Sequence, residues 1–234
     1  MASYVISDIH GEYQKFIQLL NKINLTPDDT LYILGDMIDR GRESMKVLFK
    51  LMSMPNVVPI AGNHEYMALR CLHLVNQELT DDFIDSLDSA KMERFLEWIS
   101  NGGKETLNDF SKLSPEQRSM VLDYLETFEL YCEVVVENKH YILVHAGLDN
   151  FQENRPLDSY DLSELVFIPA DYTKEYFPDK YLITGHTPTV AIPDNPRPGY
   201  IFRNKNHIAI DCGAYFTHRL AAFCLDTEEE FYVV

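Results

Sequence analysis

The sequence lacks the features that mark membrane-spanning and secreted proteins. No apolar run approaches the roughly 20 residues that a membrane-spanning helix needs, although 46% of the 234 residues are hydrophobic. The amino terminus shows neither a basic leader nor an apolar stretch that ends in a small-residue cleavage site. The sequence therefore predicts a soluble, cytoplasmic protein without a membrane partner.

Cysteine pairs and basic clusters are also missing. The four cysteines lie far apart and form no CxxC pair, which argues against a thiolate metal site or a disulfide framework. The formal net charge is -17, and no Lys/Arg stripe offsets the repulsion of nucleic acid phosphates. Stable binding of nucleic acid is therefore disfavoured. The sequence does not specify an oligomeric state.

Short apolar runs that stop abruptly predict buried strands. The five clearest are Tyr4–Ile6, Leu31–Leu34, Val57–Ile60, Tyr141–Val144 and Tyr181–Ile183. Helical spacing of apolar residues over 13–23 and 44–54 separates the first three runs, and this alternation indicates an α/β sheet. Further strands are expected at 207–210, 220–225 and 231–234, which suggests a second sheet.

The length of the chain predicts one domain that spans residues 1–234. From about Tyr66 to Thr127 the pattern turns mainly helical, with breaks at Asn101-Gly102-Gly103 and before Pro115. We interpret this part as a helical insertion over one end of the sheet.

A polar turn that contains glycine or a metal-ligating side chain follows each of the five apolar runs. Ligands collect at the carboxyl ends of strands in open α/β sheets, so these turns are expected to converge on one site. One such residue alone is more often a capped turn or a satisfied polar group, but five turns with compatible side chains favour a site. The candidate ligands are Asp8, His10, Asp36, Asn63, His145 and His186.

Carboxylates, imidazoles and one amide, without a thiolate, suit divalent ions such as manganese, iron or zinc. Residues two apart at an extended strand end point to the same side, so we expect Asp8 and His10 to bind one ion together. Asp36 is our candidate for a carboxylate that bridges two ions roughly 3.5–4 Å apart. A water held between two such ions becomes a nucleophile near neutral pH.

Three further residues in the same turns suit phosphoryl hydrolysis. Arg40 can bind a phosphate through two parallel hydrogen bonds. His64, beside Asn63, is a candidate general acid, and Asp39 can orient it. The remaining histidines have no such neighbours and are assigned structural or surface roles: His73, His140, His207 and His218.

Together these motifs closely resemble those of the calcineurin-like metallophosphoesterases, and within them the phosphoprotein phosphatase group, particularly its bacterial and phage members. They occur in family order: DxH at Asp8–His10, GDxxDRG at Gly35–Gly41, GNHE at Gly62–Glu65, HAG at His145–Gly147 and GHTP at Gly185–Pro188. The resemblance implies a four-layer β-sandwich flanked by α-helices. It also implies two divalent metal ions, most often manganese, and attack by a hydroxide that the two ions share.

By the same resemblance, Asp8 and His10 would bind the first metal, Asp36 both metals, and Asn63, His145 and His186 the second. Asp39 and His64 would form the acid pair, while Arg40 and Asn63 would contact the substrate. One departure is Pro169, which stands where many relatives carry a second phosphate-binding arginine. Three arginines could replace it from a loop, although surface solvation is the expected fate of each: Arg155, Arg197 and Arg203.

The sequence therefore favours a metal-dependent phosphomonoester hydrolase. By resemblance, its substrates are phosphorylated serine or threonine side chains of proteins, or small phosphoesters. A hydrolase of dinucleoside polyphosphates, such as diadenosine tetraphosphate, is the alternative, because that family shares much of the site but usually lacks an aspartate matching Asp39. A non-catalytic binding module is disfavoured because all six candidate ligands are present.

Overall fold

Two five-stranded β-sheets form the centre of the molecule in a computed structural model that describes residues 1–77 and 88–234. The strands are β1 Ser3–Ile6, β2 Thr30–Leu34, β3 Val57–Ile60, β4 Tyr131–Val136, β5 Lys139–Val144, β6 Lys180–Thr184, β7 Phe202–Asn204, β8 His207–Ala209, β9 Leu220–Cys224 and β10 Glu230–Val233. The first sheet has the order β10-β9-β1-β2-β3, and the second has the order β4-β5-β6-β8-β7. Strands β1, β2 and β3 run parallel, as do β5, β6 and β8.

Side chains that alternate along the strands divide the core into layers. In β2, Tyr32 and Leu34 face the space between the sheets, where Leu143 of β5 and Phe223 of β9 join the same buried cluster. The intervening Leu31 and Ile33 pack against the helices that cover the first sheet. This alternation follows from the period of two along a strand.

Helices cover the outer faces of both sheets. They are α1 Tyr13–Lys22, α2 Ser44–Met52, α3 Asn63–Val75, α4 Ser89–Trp98, α5 Lys104–Phe110, α6 Pro115–Leu125 and α7 Leu162–Val166, with a π-helical turn at Ile99–Gly103. Side chains from α1 to α6 share one core with the first sheet, whereas α7 packs on the second. Across the described ranges, every helix is too short or too polar to span a lipid bilayer.

The predicted mixed α/β sandwich with flanking helices is confirmed. All eight predicted strands are present, but β4 and β7 were not individually predicted, because β4 is half-exposed and β7 has only three residues. The predicted helical stretch 66–127 contains most of α3 and all of α4, α5 and α6, except that residues 78–87 lie outside the described part. The assignment of a single domain with this insertion stays a prediction.

Truncation of a core side chain between the sheets is expected to destabilise the fold strongly. Leu143→Ala should lower the free energy of unfolding by about 2–5 kcal/mol, since Leu143 is fully buried and its loss leaves a cavity. Val135→Ala on the neighbouring strand should cost less than about 1 kcal/mol, because Val135 is exposed. Urea-induced unfolding measures both values. Similar losses in the two variants would contradict the layer assignment.

Candidate active site

The polar turns after β1 and β2 meet because strand pairing continues beyond both strands. The backbone N–H of Asp8 donates to the carbonyl oxygen of Gly35 at 3.1 Å, and that of His10 donates to Asp36 at 2.8 Å. In the second sheet, the N–H of Gly185 donates to the carbonyl oxygen of His145 at 2.8 Å. The turns of each sheet are therefore held in register by backbone hydrogen bonds.

Six predicted site residues have left-handed backbone conformations, which non-glycine residues rarely adopt. Their φ angles lie between 48° and 70°: Asp8, His10, Asp36, Asp39, Arg40 and His186. Strained backbone of this kind clusters at functional sites, where the surrounding structure compensates for its cost. The expectation that Asp8 and His10 sit in an extended strand end was wrong, because β1 ends at Ile6. Their side chains nevertheless approach each other by way of this turn.

Glycine permits the close approach of the turns after β2 and β3. A Cβ atom on Gly35, whose φ is +76°, would lie 2.6 Å from the backbone of Gly62. A Cβ atom on Gly62 would lie 2.6 Å from the backbone nitrogen of Asp36. Side chains at these two positions would separate Asp36 from the residues opposite it.

Four predicted ligands of the second metal form a tight group, in which Asp36, Asn63 and His145 are buried and His186 is partly buried. Nε2 of His145 lies 3.1 Å from Oδ1 of Asn63 and 3.4 Å from Oδ1 of Asp36. Nδ1 of His186 lies 3.2 Å from Nε2 of His145 and 3.0 Å from Oδ1 of Asn63. These donor atoms therefore surround one small volume, as the ligands of a single cation do.

Hydrogen bonds orient the imidazoles of this site. Nδ1 of His145 donates to the carbonyl oxygen of Leu34 at 2.7 Å, which leaves the lone pair of Nε2 directed at the donor group. Nδ1 of His10 contacts the carbonyl oxygen of Ile38 at 3.0 Å in the same manner. Burial lowers the pKa of both histidines, and that of His186 falls to about 4. Neutral imidazole is the form that binds metal ions.

The first donor group shares Asp36 with the second. Nε2 of His10 lies 3.6 Å from Oδ2 of Asp36 and 4.0 Å from Oδ1 of Asp8. Nε2 of His64 lies 3.8 Å from Oδ2 of Asp36, so His64 also borders this group. Both carboxylate oxygens of Asp36 thus face donors, Oδ1 towards the second group and Oδ2 towards the first.

Buried carboxylates make the site strongly attractive to cations. Burial, together with the charges of Asp211 and Asp36, raises the pKa of Asp8 well above its ordinary value. Burial also raises the pKa of Asp211 to about 7. Burial opposes ionisation of Asp36 as well, but the surrounding imidazoles, His145 first, hold its pKa well below the usual range. A divalent cation would offset the repulsion between these carboxylates.

Glu65 is a structural residue of the site to which sequence reasoning gave no role. Its carboxylate accepts backbone N–H groups from Asp36 and Met37, both at 2.7 Å, and from Gly62 at 2.9 Å. It thereby joins the turn after β2 to the turn after β3. The position of Glu65 in the GNHE motif is the sequence feature that could have indicated this role.

The predicted acid pair and phosphate ligand lie beside the first donor group. Nδ1 of His64 lies 2.7 Å from Oδ2 of Asp39, and both side chains are buried. Burial would lower the pKa of His64, but the charges of Asp36 and Asp39 raise it above its ordinary value. Nη1 of Arg40 contacts Nε2 of His10, and its guanidinium lies 5.0 Å from the ring centroid of Phe216.

The arginines suggested as replacements at Pro169 have other partners. Arg155 pairs with Glu164, and Arg203 pairs with Glu228. Arg197 lies over the ring of Tyr200. Pro169 itself is exposed just after α7. In the described residues, Arg40 is thus the arginine that contacts the donor groups.

Three of the histidines assigned structural or surface roles have partners outside the donor groups. His73 pairs with Glu126 and His140 with Glu133, both at 2.9 Å. His207 is buried in the second sheet, with Nε2 2.9 Å from Oγ1 of Thr184. Its ring stacks on Tyr172 at an interplanar angle of 8°.

A family comparison agrees with this geometry, since residues 1–207 match the model of the calcineurin-like phosphoesterases. The chain belongs to this family. The predicted resemblance is therefore confirmed. The family uses a dinuclear metal centre, and the side chains around Asp36 are the candidate ligands in this chain.

Two curated relatives carry different names. Serine/threonine-protein phosphatase 2 of Salmonella typhimurium is 30% identical over 171 residues, which cover 71% of this chain and 65% of the relative. The symmetrical bis(5'-nucleosyl)-tetraphosphatase of Salmonella paratyphi B is 34% identical over 102 residues, which cover 42% of this chain and 36% of the relative. The chain thus spans less than two thirds of the length of either relative.

Solved structures support the fold. A structure described as a proposed diadenosine tetraphosphatase has a TM-score of 0.66 at 16% identity, with 99% of this chain and 92% of that chain covered. A protein serine/threonine phosphatase from Saccharomyces cerevisiae has a TM-score of 0.60 at 14% identity, with 100% and 79% covered. At such identities the likeness concerns the fold.

Manganese is expected to stabilise the protein through Asp36. Saturating Mn²⁺ should raise the melting temperature by roughly 5–10 °C, since ligand binding to the folded state alone adds about 3 kcal/mol at a hundred times Kd. Asp36→Asn should lose most of this increase, whereas the exposed Asp123→Asn should retain it. Differential scanning calorimetry with and without Mn²⁺ measures the shifts. An unchanged increase in Asp36→Asn would argue against its role.

His207 is expected to make stability depend on pH. Burial lowers its pKa to about 4, whereas an unfolded histidine takes up a proton near pH 6.5. The neutral ring of His207 therefore contributes fully to the free energy of unfolding above about pH 6.5, and this contribution is lost as the pH falls towards 4. His207→Gln should destabilise the protein more at about pH 7 than at about pH 4.5, as measured by urea unfolding. Equal destabilisation at both values would contradict this prediction.

Proposed function

We propose that this chain is a metal-dependent phosphomonoester hydrolase that acts on phosphorylated serine and threonine side chains of proteins. The observation that carries the proposal is the position of Asp36 between two donor groups, with the pair His64 and Asp39 directly beside them. Both features are buried at the ends of parallel strands, where the turns of both sheets meet.

The donor groups fit two divalent ions. Asp8, His10 and Asp36 would hold the first, and Asp36, Asn63, His145 and His186 the second. Oxygen and imidazole donors without a thiolate favour manganese, with iron and zinc as alternatives. When bound, two such ions supply an activated water and offset the charge of the phosphate.

His64 is the proposed proton donor to the leaving oxygen. Nδ1–H of His64 donates to Asp39, so Nε2 is the atom that faces the donor groups. Burial would lower the pKa of His64, but the charges of Asp36 and Asp39 raise it by stabilising the protonated ring. A proton held on Nε2 can pass to the alkoxide oxygen as the phosphorus–oxygen bond breaks.

Arg40 is the proposed phosphate ligand. Its guanidinium lies at the edge of the site, between His10 and the exposed ring of Phe216. Its planar donors match two non-bridging oxygens of a phosphate. Binding of phosphate would require Arg40 to exchange its contact with His10 for the substrate. The amide of Asn63 would add a second polar contact.

A dinucleoside polyphosphate hydrolase is the second candidate function. Tyr215 and Phe216 border a cavity of about 460 Å³ beside Arg40, and Phe216 is 58% exposed. Such rings could stack on a nucleobase. The buried hydrogen bond between Asp39 and His64 favours the phosphatase, because an alkoxide leaving group needs a proton more than a phosphate does.

A side-by-side assay tests these candidates. Protein loaded with Mn²⁺ is offered a phosphoserine peptide, p-nitrophenyl phosphate and diadenosine tetraphosphate. We expect hydrolysis of both monoesters, with the peptide giving a kcat/KM at least tenfold above that for diadenosine tetraphosphate. Asp36→Asn should lower turnover by on the order of a hundredfold or more, whereas His73→Gln on the surface of α3 should not.

Three outcomes would change the assignment. Preference for diadenosine tetraphosphate would favour the second candidate. Full activity in Asp36→Asn would refute its bridging role. Absence of hydrolysis together with less than one metal ion per chain after loading would indicate a non-catalytic binding module.

A further inference from the structure

Trp98 donates a hydrogen bond to the carboxylate of the proposed acid pair. It is the only tryptophan of the chain and is fully buried at the end of α4. Its Nε1–H donates to Oδ2 of Asp39 at 2.9 Å, and the same oxygen accepts Nδ1–H of His64 at 2.7 Å. One carboxylate oxygen therefore receives both the indole and the imidazole.

The segment that follows Trp98 also holds the backbone of the Asp39 turn. The N–H of Asp39 lies 2.9 Å from Oγ1 of Thr106, and the N–H of Arg40 donates to the carbonyl oxygen of Gly102 at 3.0 Å. Asp39 and Arg40 have φ angles of 70° and 65°. These hydrogen bonds stabilise a conformation that is otherwise unfavourable for residues with side chains.

The plane of the indole is fixed by its neighbours. A Cβ atom on Gly103 would lie 2.5 Å from Nε1 of Trp98, so only a glycine leaves room for the ring. The ring of Phe95 packs edge-on against the indole, with centroids 6.0 Å apart. The donor is thus held rigidly with respect to Asp39.

A buried tryptophan commonly finds some acceptor, and packing alone could explain its position. Here, however, the acceptor is the charged partner of the proposed general acid rather than a backbone carbonyl. The other oxygen of that carboxylate, Oδ1, has no hydrogen-bond partner within the described residues. The orientation of Asp39 therefore depends on the two donors at Oδ2.

We propose that Trp98 is a positioning residue for proton transfer. It fixes Oδ2 of Asp39, Asp39 fixes the ring of His64, and Nε2 of His64 thereby faces the leaving oxygen. The inference rests on the proposed function. It extends the acid machinery to the end of α4 and the π-helical turn, which sequence reasoning assigned to an insertion.

Dependence on the leaving group tests this role. Trp98→Phe removes the N–H but keeps an aromatic ring, so it should lower kcat/KM about tenfold to a hundredfold on phenyl phosphate, whose leaving group needs a proton. On p-nitrophenyl phosphate, whose leaving group is stable as an anion, the loss should stay below about threefold. Phe95→Leu loosens the packing of the indole but keeps its N–H, so it should show the same dependence on the leaving group more weakly than Trp98→Phe.

The single indole gives a second readout that does not require activity. Its N–H signal in a nitrogen–proton NMR spectrum is unambiguous and should exchange slowly with solvent. Asp39→Asn should move this signal upfield, because a neutral amide oxygen accepts more weakly than a carboxylate. In Trp98→Phe, the Nδ1–H signal of His64 should move upfield or broaden, since Asp39 is less well held.

Each result decides between two separate claims. A wild-type protein that hydrolyses neither ester refutes the proposed function, whereas the NMR spectra still test the chain of hydrogen bonds. Equal losses on both esters in Trp98→Phe overturn the positioning role, and so does an indole signal that Asp39→Asn leaves unchanged. An unchanged His64 signal in Trp98→Phe overturns it as well.

Discussion

The carboxylate of Asp36 is the constraint on which the rest of the site depends. It is buried between two groups of donors, and each of its oxygens faces one group. Such a charge is costly to bury unless it is paired. Here imidazoles surround the carboxylate of Asp36. Glu65 holds the turn that carries Asp36 by accepting its backbone N–H. A Cβ atom on Gly35, which precedes Asp36, or on Gly62, which lies opposite it, would displace this turn.

Each of the two sheets supplies some of the side chains of the site. The first supplies Asp8, His10 and Asp36, with Asn63 at the start of α3, and the second supplies His145 and His186. The buried cluster between the sheets therefore fixes the distance between the two donor groups. The helices over the first sheet also help to position Asp39, since Trp98 and Thr106 contact it from outside the sheets.

Much of this arrangement could be predicted from sequence, because abrupt apolar runs followed by polar turns are local patterns. Within each sheet, the meeting of the turns follows from parallel strands whose ends share one edge, as for Asp8 and Asp36 in the first sheet and His145 and His186 in the second. The packing that brings the two edges together does not follow from that pattern. The left-handed backbone at Asp8 and His10 could not be predicted. An extended strand would also bring the side chains of residues two apart together, so the proximity of these two side chains does not reveal the turn. The contact of Trp98 with Asp39 joins residues 59 positions apart, and no local pattern reports it.

We infer that two cations share the carboxylate of Asp36. The most direct measurement is anomalous diffraction from crystals of the protein grown with Mn²⁺. We expect two peaks roughly 3.5–4 Å apart, one on each side of the Asp36 carboxylate. A single peak, or peaks that lie away from Asp36, would contradict it.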